Sequence, residues 1–455
     1  MKVHFIAIGG SVMHNLAIAL HKSGYQVSGS DDQIFDPAKS RLEKHQLLPH
    51  QTGWLPEKIH QGLDAVILGM HARPENPELH KARQLSLKIW SFPEYLYEQT
   101  KNKQRVVIGG SHGKTTITSM VMHVLGQTGI SFDYMVGAHI EGFDTMVGLN
   151  HQAKVAVFEG DEYLSSPIDP TPKFHLYKPH IAVISGIAWD HINVFPTFEA
   201  YLEQFRIFTE KIEPQGTLIY YRDDEQTAQI ASNARSDIKK KGYHHHKRSL
   251  DGTKLITPAG EKIPFRLFGD HNAANILAAF EVCKELGIGA NEFYQAISSF
   301  KGASKRLETL GENNHTAVFL DFAHAPSKLQ ATISAVKQRF PERKLVACME
   351  LHTFSSLNKN FIRQYAHTMD QADTAMVYFN PRTLHHKNLE MLQANQLREA
   401  FALERLRVYT DIQTLQADLL SIGFHKKNLL LMSSGNFNGM NLKALKNNII
   451  NPSTQ

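Results

Sequence analysis

The segment Val106-Val107-Ile108-Gly109-Gly110-Ser111-His112-Gly113-Lys114-Thr115-Thr116 constrains this chain more than any other. A buried apolar run passes into a glycine-rich turn and then into a helix that opens on Lys-Thr. That succession belongs to an open α/β layer in which strand, loop and helix follow one another. Backbone N–H groups in such a loop converge on phosphate oxygens, and the helix N-terminus adds the positive end of its dipole. Lys114 is placed to reach β/γ-phosphates, and the Thr115 hydroxyl to sit on Mg²⁺. The strict pattern has glycine at position 108, where this chain has Ile, and Gly110 supplies the flexibility two residues later.

The same alternation of short apolar runs and amphipathic stretches fills the rest of the chain, as in parallel sheets wrapped by helices. At 455 residues it exceeds what one core sustains. The expected fold class is α/β in three blocks: residues 1–104, 105–307 and 308–455. The first has strands at 3–8, 25–28, 65–69 and 87–90, a helix at 13–23, and a polar linker at 98–104. The second has strands at 105–109, 155–158, 181–185 and 217–221. Its basic run 239–248 reads as a solvated loop in a small β-excursion, or as a metal or anion site. The third has strands at 317–322, 344–349, 374–378 and 428–433, helices near 326–339, 357–370 and 412–420, and a tail that frays after 447. The formal charge of +5 is too small for a nucleic-acid coat and suits a small anionic substrate. Two cysteines, Cys283 and Cys348, exclude a disulfide framework and favour a reducing, cytoplasmic compartment. The first apolar run is too short for a membrane span.

Four further segments carry chemistry. Glu159-Gly160-Asp161-Glu162 crowds carboxylates at the end of an apolar run, as an Mg²⁺ ligand beside phosphates or as a solvated acidic loop. Asp190-His191 follows another such run, and His191 reads as a ligand to metal or phosphate, or as a structural histidine. Asn272 stands at the head of a helix, able to read an adenine edge or to cap. Arg306 and Asp321 flank the boundary between the second and third blocks, a cation and an acid on opposite sides of a hinge.

Taken together, these segments resemble the Mur ligase family in order and spacing over nearly the whole chain. The opening His4-Phe5-Ile6-Ala7-Ile8-Gly9-Gly10 and Gly29-Ser30-Asp31 look like the UDP-binding part of the UDP-N-acetylmuramate ligases. A dinucleotide reading of the same turn is weaker, because Val12 stands where the last glycine of that fingerprint belongs. The resemblance implies an N-terminal Rossmann-like UDP-binding domain, a central P-loop ATPase-like domain and a C-terminal Rossmann-like domain. It implies that Gly9, Gly10, Ser30, Asp31 and His71 hold the UDP-sugar. Gly110, Ser111, His112, Gly113, Lys114, Thr115, Thr116, Asn272, Arg306 and Asp321 would hold ATP. Thr115, Glu159 and His191 match metal positions, with Lys114, Glu159 and His191 carrying catalysis. ATP and Mg²⁺ are the implied cofactors, and UDP-N-acetylmuramate with a muropeptide or amino acid the implied partners, with neither nucleic acid nor membrane involved.

Two branches of the family lack the carbamoylated lysine that is also missing from Tyr201-Leu202-Glu203-Gln204-Phe205-Arg206 here. The run Glu159-Gly160-Asp161-Glu162-Tyr163, with Lys173-Phe174, is closer to the branch that attaches L-Ala-γ-D-Glu-meso-diaminopimelate to UDP-N-acetylmuramate. The alternative is the branch that adds L-alanine. Ala325 and Leu351-His352-Thr353 depart from the tripeptide branch. A rival of another class is a nucleotide-binding regulator that has lost catalysis; the full set Lys114, Thr115, Glu159 and His191 argues against it.

Overall fold

The computed structural model describes residues 1–249 and 252–451. The chain folds as two compact units: Met1–Ile187, Leu202–His244 and Ile276–Ile297 form the first, and Ala188–Tyr201, His245–Asn275 and Ser298 onward the second.

The first unit contains a four-stranded and a seven-stranded sheet, besides a two-stranded hairpin. The four-stranded sheet is parallel, in the order β2-β1-β3-β4, with β1 (Lys2–Ile6), β2 (Gln26–Ser30), β3 (Ala65–Leu68) and β4 (Ile89–Ser91). Its helices are α1 (Ser11–Lys22), α2 (Ala38–Lys44), α3 (Pro77–Gln84) and α4 (Phe92–Thr100). Local chemistry sets their ends. Asn76 accepts from Glu78 N and Leu79 N before Pro77, and Ser91 with Glu94 forms a capping box. Residues 98–104 are therefore no free linker, since α4 runs to Thr100 and the next strand starts at Gln104. Arg105 fixes the turn between them. Its buried guanidinium donates to the carbonyls of Thr100, Lys101, Lys103, Tyr177 and Lys178 and pairs with Glu213 at 2.9 Å.

The larger sheet has the order β13-β12-β11-β5-β8-β6-β7. Its strands are β5 (Gln104–Gly109), β6 (Phe132–Met135), β7 (Val147–Gly148), β8 (Val155–Glu159), β11 (Ile181–Ile184), β12 (Thr217–Tyr221) and β13 (Lys239–Tyr243), and β9 (Leu164–Ser166) with β10 (Asp169–Pro172) forms a separate hairpin. Every pairing in the larger sheet is parallel except β6 with β7. The helices α5 (Lys114–Gln127), α6 (Lys173–Leu176), α7 (Phe198–Glu210) and α8 (Glu225–Asn233) accompany it. The basic run read as a loop begins instead as the edge strand β13, where lysines discourage pairing with another chain. The excursion that does occur is the hairpin of β14 (Lys254–Ile256) and β15 (Lys262–Pro264). Among the described residues no group of three or more His, Cys, Asp or Glu is placed to hold a metal.

Helix α9 (Asp270–Glu285) begins in the second unit and ends in the first, where α10 (Ala290–Ile297) follows. The second unit's sheet has the order β16-β17-β21-β18-β19-β20, with β16 (Glu308–Glu312), β17 (Ala317–Asp321), β18 (Lys344–Leu351), β19 (Thr374–Phe379), β20 (Arg407–Tyr409) and β21 (Lys427–Met432). Only β16 is antiparallel. Alternate strand residues feed two cores: Leu345, Ala347 and Met349 one, Val346 and Cys348 the other. Burial on both faces is why these strands read as continuous apolar runs. Helix α11 (Pro326–Arg339) has the expected bounds, whereas residues 357–370 do not form one helix. There α12 (Phe354–Leu357) ends at Asn358, whose side chain accepts from Asn360 N and Phe361 N and turns the chain. The fraying expected after residue 447 is also corrected, since a helix runs from Leu442 to Ile450; the expectation for residues 452–455 lies outside the described residues.

Candidate active site

Strand β5 lies between β11 and β8, where the crossovers of the sheet diverge and ligands gather at the carboxyl ends of strands. Ile108 is paired to Val183 on one side and Glu159 on the other. It belongs to the strand, so it needs no glycine's freedom. The turn begins after it. Gly110 has φ 124°, and a Cβ there would stand 2.8 Å from Ser185 N. Ser111 N donates to Gly186 O at 2.8 Å, and Ser185 N to Gly109 O at 3.1 Å, so the turn after β11 braces the loop. Gly113, at φ 75°, opens α5, whose first residues are Lys114, Thr115 and Thr116. His112 is held by the short bond from Ser185 Oγ to its carbonyl.

Lys114 Nζ donates to Gly110 O and to Glu162 Oε2, each at 2.7 Å. Burial works to lower the pKa of Lys114, but Glu162, Asp161 and Glu159 outweigh it and hold the ammonium above its ordinary value. Thr115 Oγ1 donates to Glu159 Oε1 at 2.9 Å, and Gly137 N to Glu159 Oε2 at 2.7 Å. A fixed cation and a hydroxyl–carboxylate pair thus meet where β8 ends and α5 begins. Asp161 pairs with Lys173 at 2.5 Å, and Lys173 lies over the Tyr163 ring at 5.5 Å. Tyr163 and Lys173, read from sequence as marks of a branch, therefore support one another.

The turn after β1 gathers most of the residues assigned to the UDP-sugar. Gly9 N donates to Asp31 Oδ2 at 2.7 Å, and Ser30 O receives both Ala7 N and Ile8 N. Burial, with Asp32 alongside, raises Asp31 to about 6, against the Gly9 N–H. Ser30 Oγ is buried without a hydrogen-bond partner. Gly10 sits at the N-cap of α1, and His71 is exposed after β3.

In the second unit, His191 has φ 56° and donates its N–H to Asp190 Oδ1 at 2.8 Å. Asp190 is buried with His324 at 3.5 Å and Lys328 at 3.9 Å. Burial would raise its pKa, but His324, His191 and Lys328 hold it well below the carboxylate range. Asn272 lies within the first turn of α9, not at its cap; its Nδ2 donates to Phe268 O at 2.9 Å and its Oδ1 accepts from Asn275 at 3.3 Å. Arg306 stacks over the Phe322 ring at 4.5 Å. Asp321 accepts from Leu307 N and Ala323 N at 2.6 and 2.7 Å, and burial raises it to about 6 despite Arg306. Arg306 and Asp321 thus belong to one unit and one cluster, not to opposite sides of a hinge.

Sequence reasoning missed Glu162 as the partner of Lys114, although the crowding of acids after β8 pointed to it. It also missed Gly137, whose place is fixed by tertiary structure; a Cβ there would stand 2.8 Å from Glu159 Oε1.

Three family models cover most of the chain: the Mur ligase family catalytic domain over residues 2–104, the Mur ligase middle domain over 108–283, and the Mur ligase glutamate ligase domain over 305–435. The UDP-N-acetylmuramate–L-alanine ligase of Caldicellulosiruptor bescii is 31% identical over 396 residues, 83% of either chain. That of Desulfitobacterium hafniense is 25% identical over 93% of this chain and 95% of its own. Among solved structures, a murein peptide ligase from Psychrobacter arcticus matches with TM-score 0.70 at 22% identity, covering 98% of this chain and 99% of that one. A UDP-N-acetylmuramate–alanine ligase from Thermotoga maritima matches with TM-score 0.72 at 20% identity, covering 99% and 98%. By these family models and by its 31% identity to a curated relative, the chain belongs to the Mur ligase family of ATP-dependent ligases that form C–N bonds.

Proposed function

We propose that this ligase joins L-alanine to the lactyl carboxylate of UDP-N-acetylmuramate in the cytoplasm, as a step of cell-wall synthesis. The observation that carries the acceptor is the name shared by the curated relatives, UDP-N-acetylmuramate–L-alanine ligase, at up to 31% identity over 83% of both chains. Residues 1–104 would hold the UDP-sugar, 105–307 the ATP, and 308–455 the acceptor. The buried Ser30 hydroxyl, which has no hydrogen-bond partner, is a group a nucleotide-sugar can satisfy.

A carboxylate is a poor electrophile towards an amine, so it must first be activated. A carboxylate oxygen attacks the γ-phosphorus of ATP, the bond to the β-phosphate oxygen breaks, and ADP leaves. The neutral amine then attacks the acyl carbon, inorganic phosphate departs, and the nitrogen loses a proton to give the amide. Lys114, held charged beside the loop carbonyl of Gly110, would meet the negative charge of the transferring group. The Thr115 hydroxyl and Glu159 carboxylate are hard oxygen donors of the kind Mg²⁺ takes beside phosphates, with His191 the further proposed ligand. When bound, Mg²⁺ supplies charge screening for the phosphates. Asn272, Arg306 and Asp321 are proposed to hold the nucleotide.

A second reading, with the tripeptide as acceptor, is favoured by the run from Glu159 to Phe174. Yet Asp161, Tyr163 and Lys173 are engaged with one another there, so the run supports the loop's own shape. Measuring kcat/KM for each acceptor at saturating ATP and UDP-N-acetylmuramate decides between the readings. L-alanine is expected to be the better substrate; a higher value for the tripeptide would reassign the acceptor. Nucleotide binding with no phosphate release in the presence of UDP-N-acetylmuramate and either acceptor would support the regulator.

A further inference from the structure

The loop between β6 and β7 touches both proposed substrate sites of the first unit. At one end, Gly137 N holds Glu159, the carboxylate that also receives the Thr115 hydroxyl. At the other end, Met146 N donates to Asn15 Oδ1 at 3.0 Å. Val136 N donates to Met146 O at 3.0 Å, so the two ends of the loop are tied.

Asn15 lies on α1, which starts at the Gly9–Gly10 turn, and it is 1% exposed. Every polar atom of its amide is assigned. Nδ2 donates to Ser11 O at 2.8 Å and to His14 Nε2 at 2.9 Å. Oδ1 accepts from Met146 N and from Arg41 Nη2 at 3.1 Å. His14 Nδ1 faces Gly10 O at 2.8 Å and must donate to it, which leaves Nε2 as the acceptor for Asn15. Burial lowers the pKa of His14 and keeps the ring neutral in that tautomer. Arg41, on α2, reinforces the same connection by donating to Asp144 O at 2.5 Å and to His139 Nε2 at 2.8 Å, both on the loop. Hydrogen bonds, joined through the backbone of Met146 and of Val136–Gly137, therefore connect the Gly10 carbonyl through His14 and Asn15 to Glu159 and Thr115.

We propose that Asn15 and Arg41 are positioning residues that couple the two substrates, the β6–β7 loop carrying occupancy of the Gly9–Gly10 turn to the Thr115–Glu159 pair. This rests on the reading of those two places as the UDP-sugar and ATP·Mg²⁺ sites. A shift of the turn moves the Gly10 carbonyl, and with it the His14–Asn15 pair that holds Met146. The loop then re-aims Gly137 against Glu159. Such coupling is reciprocal: each ligand alters the affinity of the other by one factor.

The test measures binding of a non-hydrolysable ATP analogue with Mg²⁺, with and without saturating UDP-N-acetylmuramate, on the full chain. The wild-type affinity should change at least about fivefold, and UDP-N-acetylmuramate affinity by the same factor when the order is reversed. In Asn15→Leu the factor should fall to about one, while each ligand alone binds near its wild-type affinity. Arg41→Met, at a half-buried position, should reduce the factor without touching the core of α1. Wild-type protein that binds both ligands independently would overturn the coupling alone. A factor unchanged in both variants would overturn the role of these residues. Failure of the wild type to bind one ligand at all would overturn the site reading and the coupling together, and it shows before any factor is measured.

Discussion

Lys114 Nζ lies 2.7 Å from Glu162 Oε2, with the carboxylate side chain 1% exposed. The cation proposed to face phosphate is thus kept in its loop by an acid that the loop itself does not contain. Removing one member of a buried pair leaves the other charge uncompensated, at a cost of roughly 3–5 kcal/mol, whereas removing both is far less damaging. Lys114→Met and Glu162→Leu should each lower stability in denaturant, and the double variant should recover much of the loss. Recovery must not extend to catalysis: without Lys114, turnover should fall on the order of 10²–10³-fold. A folded Lys114→Met protein with near-normal turnover would refute the phosphate role.

Glu159→Gln and His191→Ala should raise the Mg²⁺ concentration needed for half-maximal activity while leaving UDP-sugar affinity near normal. Glu159 ends β8 and receives the Thr115 hydroxyl beside the proposed phosphate loop, whereas the UDP-sugar contacts are proposed for the turn after β1. Titrating Mg²⁺ against rate on each variant checks this. An unchanged Mg²⁺ requirement in both would remove them from the metal set.

Arg105 serves five carbonyls and a carboxylate from a position 1% exposed. A lysine has three donors on a point charge and cannot reproduce the guanidinium fork. Arg105→Lys should therefore leave carbonyls unsatisfied and destabilise the chain by about 2–5 kcal/mol, read as a lowered denaturation midpoint. An unchanged midpoint would show that the turn from α4 to β5 does not depend on it.

How much of this was legible in the sequence follows from where each requirement is encoded. The glycine-rich turn between β5 and α5 could be read because its backbone admits few residue types: Gly110 at φ 124° and Gly113 at φ 75° announce themselves. The strands of the second unit were legible because burial on both faces leaves continuous apolar runs. Residues 357–370 misled because Phe361, Ile362, Tyr365 and Met369 keep a helix-like apolar spacing although Asn358 turns the chain before them. The Asn15–Arg41 connection was invisible, since it joins ordinary residues over 131 and 103 positions. Separations of that size leave no local pattern.

Asp321 offers a pH test. Its folded pKa is raised to about 6 from the ordinary 3.8, so the folded chain holds this proton more tightly than the unfolded one. The resulting stability is fully present below about pH 4 and is lost as pH rises through about 6. Asp321→Asn lacks the proton, so its stability relative to wild type should rise between those values, by on the order of 2–3 kcal/mol. Denaturant melts of both proteins across that range give the difference. A difference independent of pH would place the Asp321 pKa near its ordinary value.

The central claim is that the sugar carboxylate is activated as an acyl-phosphate before the amine attacks. The most direct measurement uses UDP-N-acetylmuramate labelled with ¹⁸O in its carboxylate, together with ATP, Mg²⁺ and L-alanine, and weighs both the amide product and the released phosphate. The account predicts one labelled oxygen in phosphate for every amide formed, because the oxygen that attacked phosphorus leaves with it. Unlabelled phosphate, or phosphate released without an amide product, would contradict it.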